Sequence, residues 1–392
     1  GSSPFLQELV PTRNKKKRQQ MIEILIFFII MAWFASREIS SVSKTVYTQY
    51  EEHLKENIVK SLNVKLEAIN NIVLGLAHNS FIISKMDDED RKGIFDEINR
   101  LRSALKVESS FNNPLIQVVD AMGASYVKSW NEKAYGADVS DRESIKYAQE
   151  KQKVFVGNEV TRGGLMIVST APLMLEDEGA EPEFIGSIDF ILRYNSLVYK
   201  YLNKKDTREL LVLVKKTLLK KANLIKKPAL VQDYFINLDK DAIDKNFAKA
   251  ANNIDFALLR KQGYLTDDKY FFTFEPICDH EHKEVGIFLL GDSLKVVDLA
   301  VEATIKGYIK LMAIIFTLMI VILIIVVLII KKLVSHPLHK LSDVAQELSL
   351  GDGDLTKRLN LTTNDEIGTS SHFINKFIEK VHDVVSNVII SG

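Results

Sequence analysis

Three clusters and one lone cysteine in the sequence carry side chains capable of chemistry. His280-Glu281-His282-x-Glu284 sets two imidazoles at i and i+2, a spacing that puts both on one face of a strand and within reach of a metal. Three more charges crowd around them, which reads instead as a solvated turn. Asp87-Asp88-Glu89-Asp90 has the charge of a cation site but suits a helix N-terminus, where the macrodipole favours carboxylates. Asp352-x-Asp354 is a connector turn, because an EF-hand loop needs a glutamate at its twelfth position and none stands there. The single cysteine, Cys278, excludes an internal disulfide and a cysteine zinc site. There is no Gly-rich phosphate loop, no G-x-S-x-G and no paired histidine–carboxylate set. The chain is therefore expected to hold no enzyme active site, no metal and no cofactor.

Composition narrows the class further. With 51 basic and 51 acidic residues in 392, the chain lacks the basic surplus of a nucleic-acid binder. Its 18 Gly and 8 Pro are too few for a disordered chain. The apolar residues are concentrated in two places. Leu311 to Ile330 reads LMAIIFTLMIVILIIVVLII, with Thr317 its only polar side chain. At 1.5 Å per residue it spans about 30 Å, the hydrocarbon thickness of a bilayer. The shorter run from Ile22 to Ala35, inside 21–36, contains Glu23. No small-x-small cleavage site follows it, so it reads as an uncleaved anchor rather than a signal peptide. Arg13, Lys15, Lys16, Lys17 and Arg18 precede the first run, and Lys331, Lys332 and Lys340 follow the second. The positive-inside rule then makes residues 1–20 and everything after 330 cytoplasmic, and exports 37–310 to a periplasm or the outside. The Gly1-Ser2 start, without methionine, reads as an expression-tag remnant.

The exported part is expected to be α+β. Leu54, Ile58, Leu62, Leu66, Ile69, Val73 and Leu76 recur at helical spacing, marking one long helix. A charged helical stretch, Asp87 to Val107, follows it. Strands are expected at Leu115–Asp120, Ala124–Trp130, Lys153–Val160, Gly164–Met174 and Glu183–Leu192, a sheet with helices on one face. Alternation sets Tyr126, Lys128 and Trp130 on one face, and Ser187 and Asp189 opposite the core residues Ile188, Phe190 and Leu192. A smaller sheet module follows: Glu209–Leu219 mixed, Asp239–Gln262 helical, and a hairpin of Tyr270–Pro276 with Glu284–Leu290. After the second span, Leu338, Leu341, Ala345 and Leu348 form one stripe. Ile367, Ser370, Ile374, Phe377, Val381, Val384 and Val388 step 3-4-3-4-3-4, a heptad seam that wants partner helices.

Two motif sets resemble known families. Val118-Val119-Asp120 … Gly123, then Gly136-Ala137-Asp138-Val139-Ser140-Asp141-Arg142, is similar to the extracytoplasmic Cache pattern, as are Ser169-Thr170-Ala171-Pro172-Leu173 and Ile185-Gly186-Ser187-Ile188-Asp189. With a second module the resemblance is to a double Cache sensor: a distal module at 37–200 and a membrane-proximal one at 201–305. Pro337, Gly351-Asp352-Gly353-Asp354-Leu355 and Asn364-Asp365-Glu366-Ile367-Gly368 resemble the HAMP relay of bacterial chemoreceptors, here 331–387. Ser370 departs from the apolar residue usual at that seam position.

The resemblance implies a small ligand on the outer face of the distal sheet, under the S-D-R loop. Tyr126, Lys128, Trp130, Tyr135, Arg142 and Asp189 would line that pocket, with cationic groups for a carboxylate and Asp189 for an amine or hydroxyl. Alternatively, Arg142 braces its own loop against Asp138 or Asp141. Leu173-Met174 replace the aspartate that amino-acid-binding relatives carry after the strand-end proline. Carboxylates, amines and nucleobase-like ligands therefore stay open. Pro337 and Glu366 would relay the signal. The implied protein is a homodimeric chemotaxis receptor in the inner membrane, crossing it twice. A cytoplasmic signalling domain beyond residue 392 would engage a coupling protein and a histidine kinase. The alternatives are the sensory half of a histidine kinase or diguanylate cyclase, and a membrane stalk without a ligand.

Overall fold

The computed structural model describes residues 4–111, 113–176, 179, 181–201, 207–350, 354–360 and 364–391. They fall into two units, Gly1–Ile305 and Lys306–Gly392. The first unit is built on helix α1, Pro4–Ala77, whose 74 residues extend about 110 Å. The expected apolar stripe is its buried face: Leu54, Ile58, Ile69, Val73 and Leu76 join one core with the inner residues of two sheets. Nearer its start, Tyr47 stacks on Tyr264 and Phe271, and the Tyr50 hydroxyl donates to Asp292. Helices α2 (Ser80–Asp87) and α3 (Arg91–Glu108) follow. Asp90 is the N-cap of α3, accepting from the Gly93 N–H at 2.9 Å, which gives the acidic cluster a local structural use.

The first sheet holds β1 (Leu115–Asp120), β2 (Ser125–Lys128), β3 (Phe155–Thr161), β4 (Gly164–Leu175) and β5 (Glu183–Arg193), all antiparallel in the order β2-β1-β5-β4-β3. Ile116, Val118, Ile188, Phe190 and Leu192 point to the shared core. Helices do not stop at that face. Helix α4 (Glu143–Lys151) covers part of the other, because Phe155, Met166, Val168 and Ile191 make an apolar cluster there that needs cover, and Tyr147 packs on it.

After α5 (Asn195–Tyr201) the second sheet assembles from β6 (Glu209–Lys215), β7 (Leu230–Val231), β8 (Tyr234–Ile236), β9 (Tyr264–Thr266), β10 (Tyr270–Cys278) and β11 (Glu284–Ser293). Its order is β7-β8-β6-β11-β10-β9. The single helix expected over Asp239–Gln262 is two, α6 (Lys245–Ala251) and α7 (Phe256–Gln262). Asp244 and Asp255 each accept hydrogen bonds from the next turn's N–H groups and so start separate helices. Strands β7, β8 and β9 are too short for periodicity to reveal.

Helix α8 (Leu294–Ile330) carries the apolar run from Leu311, whose large side chains are exposed. Among the described residues it contains the one helix apolar and long enough to cross a membrane. The expected first span, 21–36, is helical within α1, with Ile22, Leu25, Ile26, Ile29, Ile30 and Trp33 exposed. Most of its other side chains lie outside the described residues. The chain widens to a π-turn at Lys331–Ser335 just before Pro337, which has no N–H to continue the α ladder. Helices α9 (His336–Leu350) and α10 (Glu366–Ser391) follow.

Glu209 opens β6 in a partly buried site facing Asp244 and Asp292, and burial followed by those two carboxylates pushes its pKa up to about 7. An acid whose folded pKa lies above its unfolded value of ~4.3 stabilises the fold only while protonated. That contribution is full below the unfolded pKa and lost as pH rises towards 7. Thermal unfolding of the full chain between pH 4.5 and 7.5 should show a falling midpoint that Glu209→Gln flattens. An identical slope in wild type and variant would refute the assignment.

Candidate functional site

The hairpin between β1 and β2 turns on Asp120, whose Oδ1 accepts from the Met122 and Ala124 N–H groups at 3.0 and 2.8 Å. Gly123 has φ +83°, and a Cβ there would meet the Ser140 Cβ at 2.6 Å, so only glycine lets the following loop lie against the hairpin. In that loop Asp138 accepts from both the N–H and the hydroxyl of Ser140, at 3.0 and 2.7 Å, which lowers its pKa. The loop ends at Arg142, the residue preceding α4.

Arg142 is buried, and its partners are neither Asp138 nor Asp141. Its guanidinium donates to Glu159 of β3 at 2.8 and 3.1 Å, to Asp189 of β5, and to the Ser144 hydroxyl at 2.9 Å. Ser144 in turn donates to Glu159, and Thr170 donates to Asp189 at 2.7 Å. Burial works against the Arg142 charge, yet Asp189 and Glu159 outweigh it and hold the guanidinium above its ordinary range. Burial also pushes on Glu159, but Arg142 and Ser144 pull that carboxyl below its usual value. Asp189 stays raised, because burial there exceeds the pull of Arg142 and Thr170.

Beside this trio a cavity of about 520 Å³ opens on the outer face of the first sheet. Gln117, Met166 and Ile191 form its floor, Trp130 and the 137–142 loop one wall, and Lys128, Arg162, Arg193 and Lys220 stand around it. Of the residues expected to meet a ligand, Lys128, Trp130 and Arg142 line this cavity. Asp189 lies beneath Arg142, fully buried, and is not part of the wall. Tyr126 and Tyr135 are elsewhere. A register shift at Val118/Val119 puts Tyr126 out of simple alternation, and it packs against the helix-side core. Tyr135 is 58% exposed and carries the Arg91 guanidinium 3.5 Å above its ring. Gln117, Arg162, Arg193 and Lys220 were not anticipated. Alternation against Ile116 and Val118 could have pointed to Gln117, whereas Lys220 comes from beyond the next strand, β6, and carries no local signal.

The outer face of the second sheet is filled differently. Phe247 and Leu259, from α6 and α7, pack on Leu211, Phe272 and Leu289 there. The histidine pair also divides. His280 Nδ1 lies 3.1 Å from Glu143 and its ring packs on Phe155, while His282 is exposed and Glu284 is held by Arg260 at 2.8 Å. The segment is a turn with Glu281, His282 and Lys283 exposed, from which only the His280 ring packs inward.

In the second unit Pro337 is buried and Glu366 is exposed at the first turn of α10. Asp365 caps that helix through the Ile367 and Gly368 N–H groups. The Asn375 side chain exchanges two 2.8 Å hydrogen bonds with the backbone of Leu359, fastening connector to helix. Ser371 and Ile378 are buried, whereas Phe377, Val384 and Val388 of the expected seam are 62–65% exposed.

An extended helix bearing two antiparallel sheets, a membrane-length apolar helix and a helix–connector–helix unit together define a sensor-type membrane receptor. The chain belongs to the double Cache family described as the double sensory domain of two-component sensor kinase, matched over residues 47–297, and it carries a HAMP domain at 329–369. It is 37% identical over 57 residues to the methyl-accepting chemotaxis protein PctB of Pseudomonas aeruginosa and 34% identical over 57 residues to McpG of Pseudomonas putida. Those matches cover 14% of this chain and 9% of each relative. The sensor domain of the V. cholerae histidine kinase DctB aligns over 63% of this chain and 97% of its own, at 11% identity and TM-score 0.39.

Removing Arg142 would strand two buried carboxylates. Arg142→Met should cost about 3–5 kcal/mol in denaturant unfolding of the full chain, and adding Glu159→Gln with Asp189→Asn should return most of it. A single variant as stable as wild type would contradict the buried trio.

Proposed function

We propose that this chain is the input half of a homodimeric chemotaxis receptor that binds a small extracellular ligand in the distal module. The single observation that carries the reading is the cavity on the outer face of the first sheet, walled by Trp130 and basic side chains, while the second sheet's equivalent face is packed with its own aromatics. Its size suits a metabolite-sized ligand. The span 21–36 and the span in α8 would make the protein cross the inner membrane twice, with the sensor outside. Phe377, Val384 and Val388, exposed along one side of α10, support a parallel bundle with a second copy. Ligand binding would then bias α8 and the HAMP pair between two packings, which requires different affinities for the two states. A signalling domain beyond residue 392 would pass the change to a coupling protein and a histidine kinase. No residue is assigned a catalytic role.

A second reading attaches a histidine kinase directly to the same input half. The family's own description, a sensory domain of sensor kinases, favours it. The two separate in a hybrid that joins residues 1–369 to the signalling part of the P. aeruginosa chemoreceptor PctB. The chemoreceptor reading expects ligand-dependent swimming bias from that hybrid. Pro337→Ala or Glu366→Ala should change the bias and leave ligand affinity within about twofold. Loss of binding in either variant would count against their relay role, and a folded hybrid silent to a bound ligand would favour the kinase.

A further inference from the structure

The cavity's charge says more than that a ligand enters. Six cations line it against one carboxylate, Asp141. Arg142 is neutralised by its buried partners, Lys221 pairs with Glu143 at 3.2 Å, and Arg193 reaches Asp239 at 3.4 Å. Among the described residues Lys128 and Lys220 make no ion pair within 4 Å, while Arg162 donates to the Asp138 carbonyl at 3.0 Å and is near enough to the Asp138 carboxylate to lower its pKa. Like charges gathered around one concave space repel, and Lys128 is held below its ordinary pKa by burial and by Arg162. Gln117, only 4% exposed in the floor, has an amide nitrogen without a hydrogen-bond partner. A buried donor in that condition is destabilising unless an acceptor arrives.

The cavity also has two owners. Gln117, Lys128, Trp130 and Arg162 belong to the first sheet and its turns, but Lys220 and Leu224 come from the segment after β6, in the second module. One backbone hydrogen bond already joins the halves, from the Leu224 N–H to the Arg162 carbonyl at 2.9 Å.

We propose that this cavity takes a small organic anion with at least two carboxylate or phosphate groups, one held by Lys128, Arg162 and Gln117 and another by Lys220, so that the ligand ties the two sensor modules together. The inference rests on the proposed ligand site and deepens it. The anion supplies the acceptor that Gln117 lacks and cancels the local excess of positive charge. It would also restrain the second module, which leads directly into α8.

The chain has two tryptophans, Trp33 and Trp130, so Trp33→Phe leaves Trp130 as the sole reporter inside the cavity. The full chain with that change, in lipid nanodiscs, would be titrated with acetate, succinate, citrate, inorganic phosphate, pyrophosphate and a neutral and cationic metabolite panel. We expect a dianion or trianion to shift Trp130 fluorescence with affinity at least about tenfold above acetate. Citrate against pyrophosphate separates carboxylate from phosphate. Lys220→Ala, at an exposed position, should weaken that binding at least about fivefold, and the bound anion should slow hydrogen exchange at Leu224. Binding of the anion unaffected by Lys220→Ala, or without protection of Leu224, overturns the bridging inference. A neutral or cationic compound that moves Trp130 where no anion does overturns the polyanion and leaves the ligand site standing. A full panel with no response at Trp130 overturns both.

Discussion

A guanidinium cannot be taken out of water without opposite charge beside it, and the first sheet is organised around meeting that demand. Arg142 reaches Glu159 on β3 and Asp189 on β5, strands separated by β4. Satisfying one side chain therefore pins the 136–142 loop, the start of α4 and three adjacent strands in one arrangement. The loop so placed becomes a wall of the cavity, while Lys128 is set in place by its pairing with Gln117 of β1. The trio is a supporting structure beneath the cavity wall, and its charged groups already have one another as partners.

The two modules are joined by more than a shared helix. Asn237 exchanges hydrogen bonds with the Leu165 backbone at 2.8 and 3.0 Å, Asn158 donates to the Cys278 carbonyl, and Glu143 meets both Lys221 and His280. These contacts are polar and lie at the edges of a continuous apolar core. Polar contacts of this kind exchange partners at modest cost, whereas core packing does not. The junction thus combines a shared apolar core with exchangeable polar contacts around it.

Within the second unit, the residues buried inside the chain differ from those of the expected seam that stay exposed. Ser371 and Ile378 are buried and Asn375 holds the connector, while Phe377, Val384 and Val388 remain uncovered. The apolar stripe of α10 is thus wider than a two-helix contact needs. The buried positions, Ser371 and Ile378, lie beside the heptad line read from the sequence rather than on it.

Much of this was legible in the residues alone. The α1 stripe and the five strands of the first sheet follow from hydrophobic periodicity, a local property that burial enforces at every turn or alternate residue, and the membrane-length run in α8 follows from its unbroken apolar composition. The outward direction of Asp189 followed from the same alternation. What that carboxylate does was not legible, because its partner stands 47 residues earlier and only folding brings the two together. Tyr126 left the expected face through a one-residue register shift, and α4 settled on a face read as open. Lys220 joined the cavity from another module. Periodicity determines which side of an element meets water. Which charges meet one another across the fold depends on long-range packing and desolvation, and only the tertiary structure decides that.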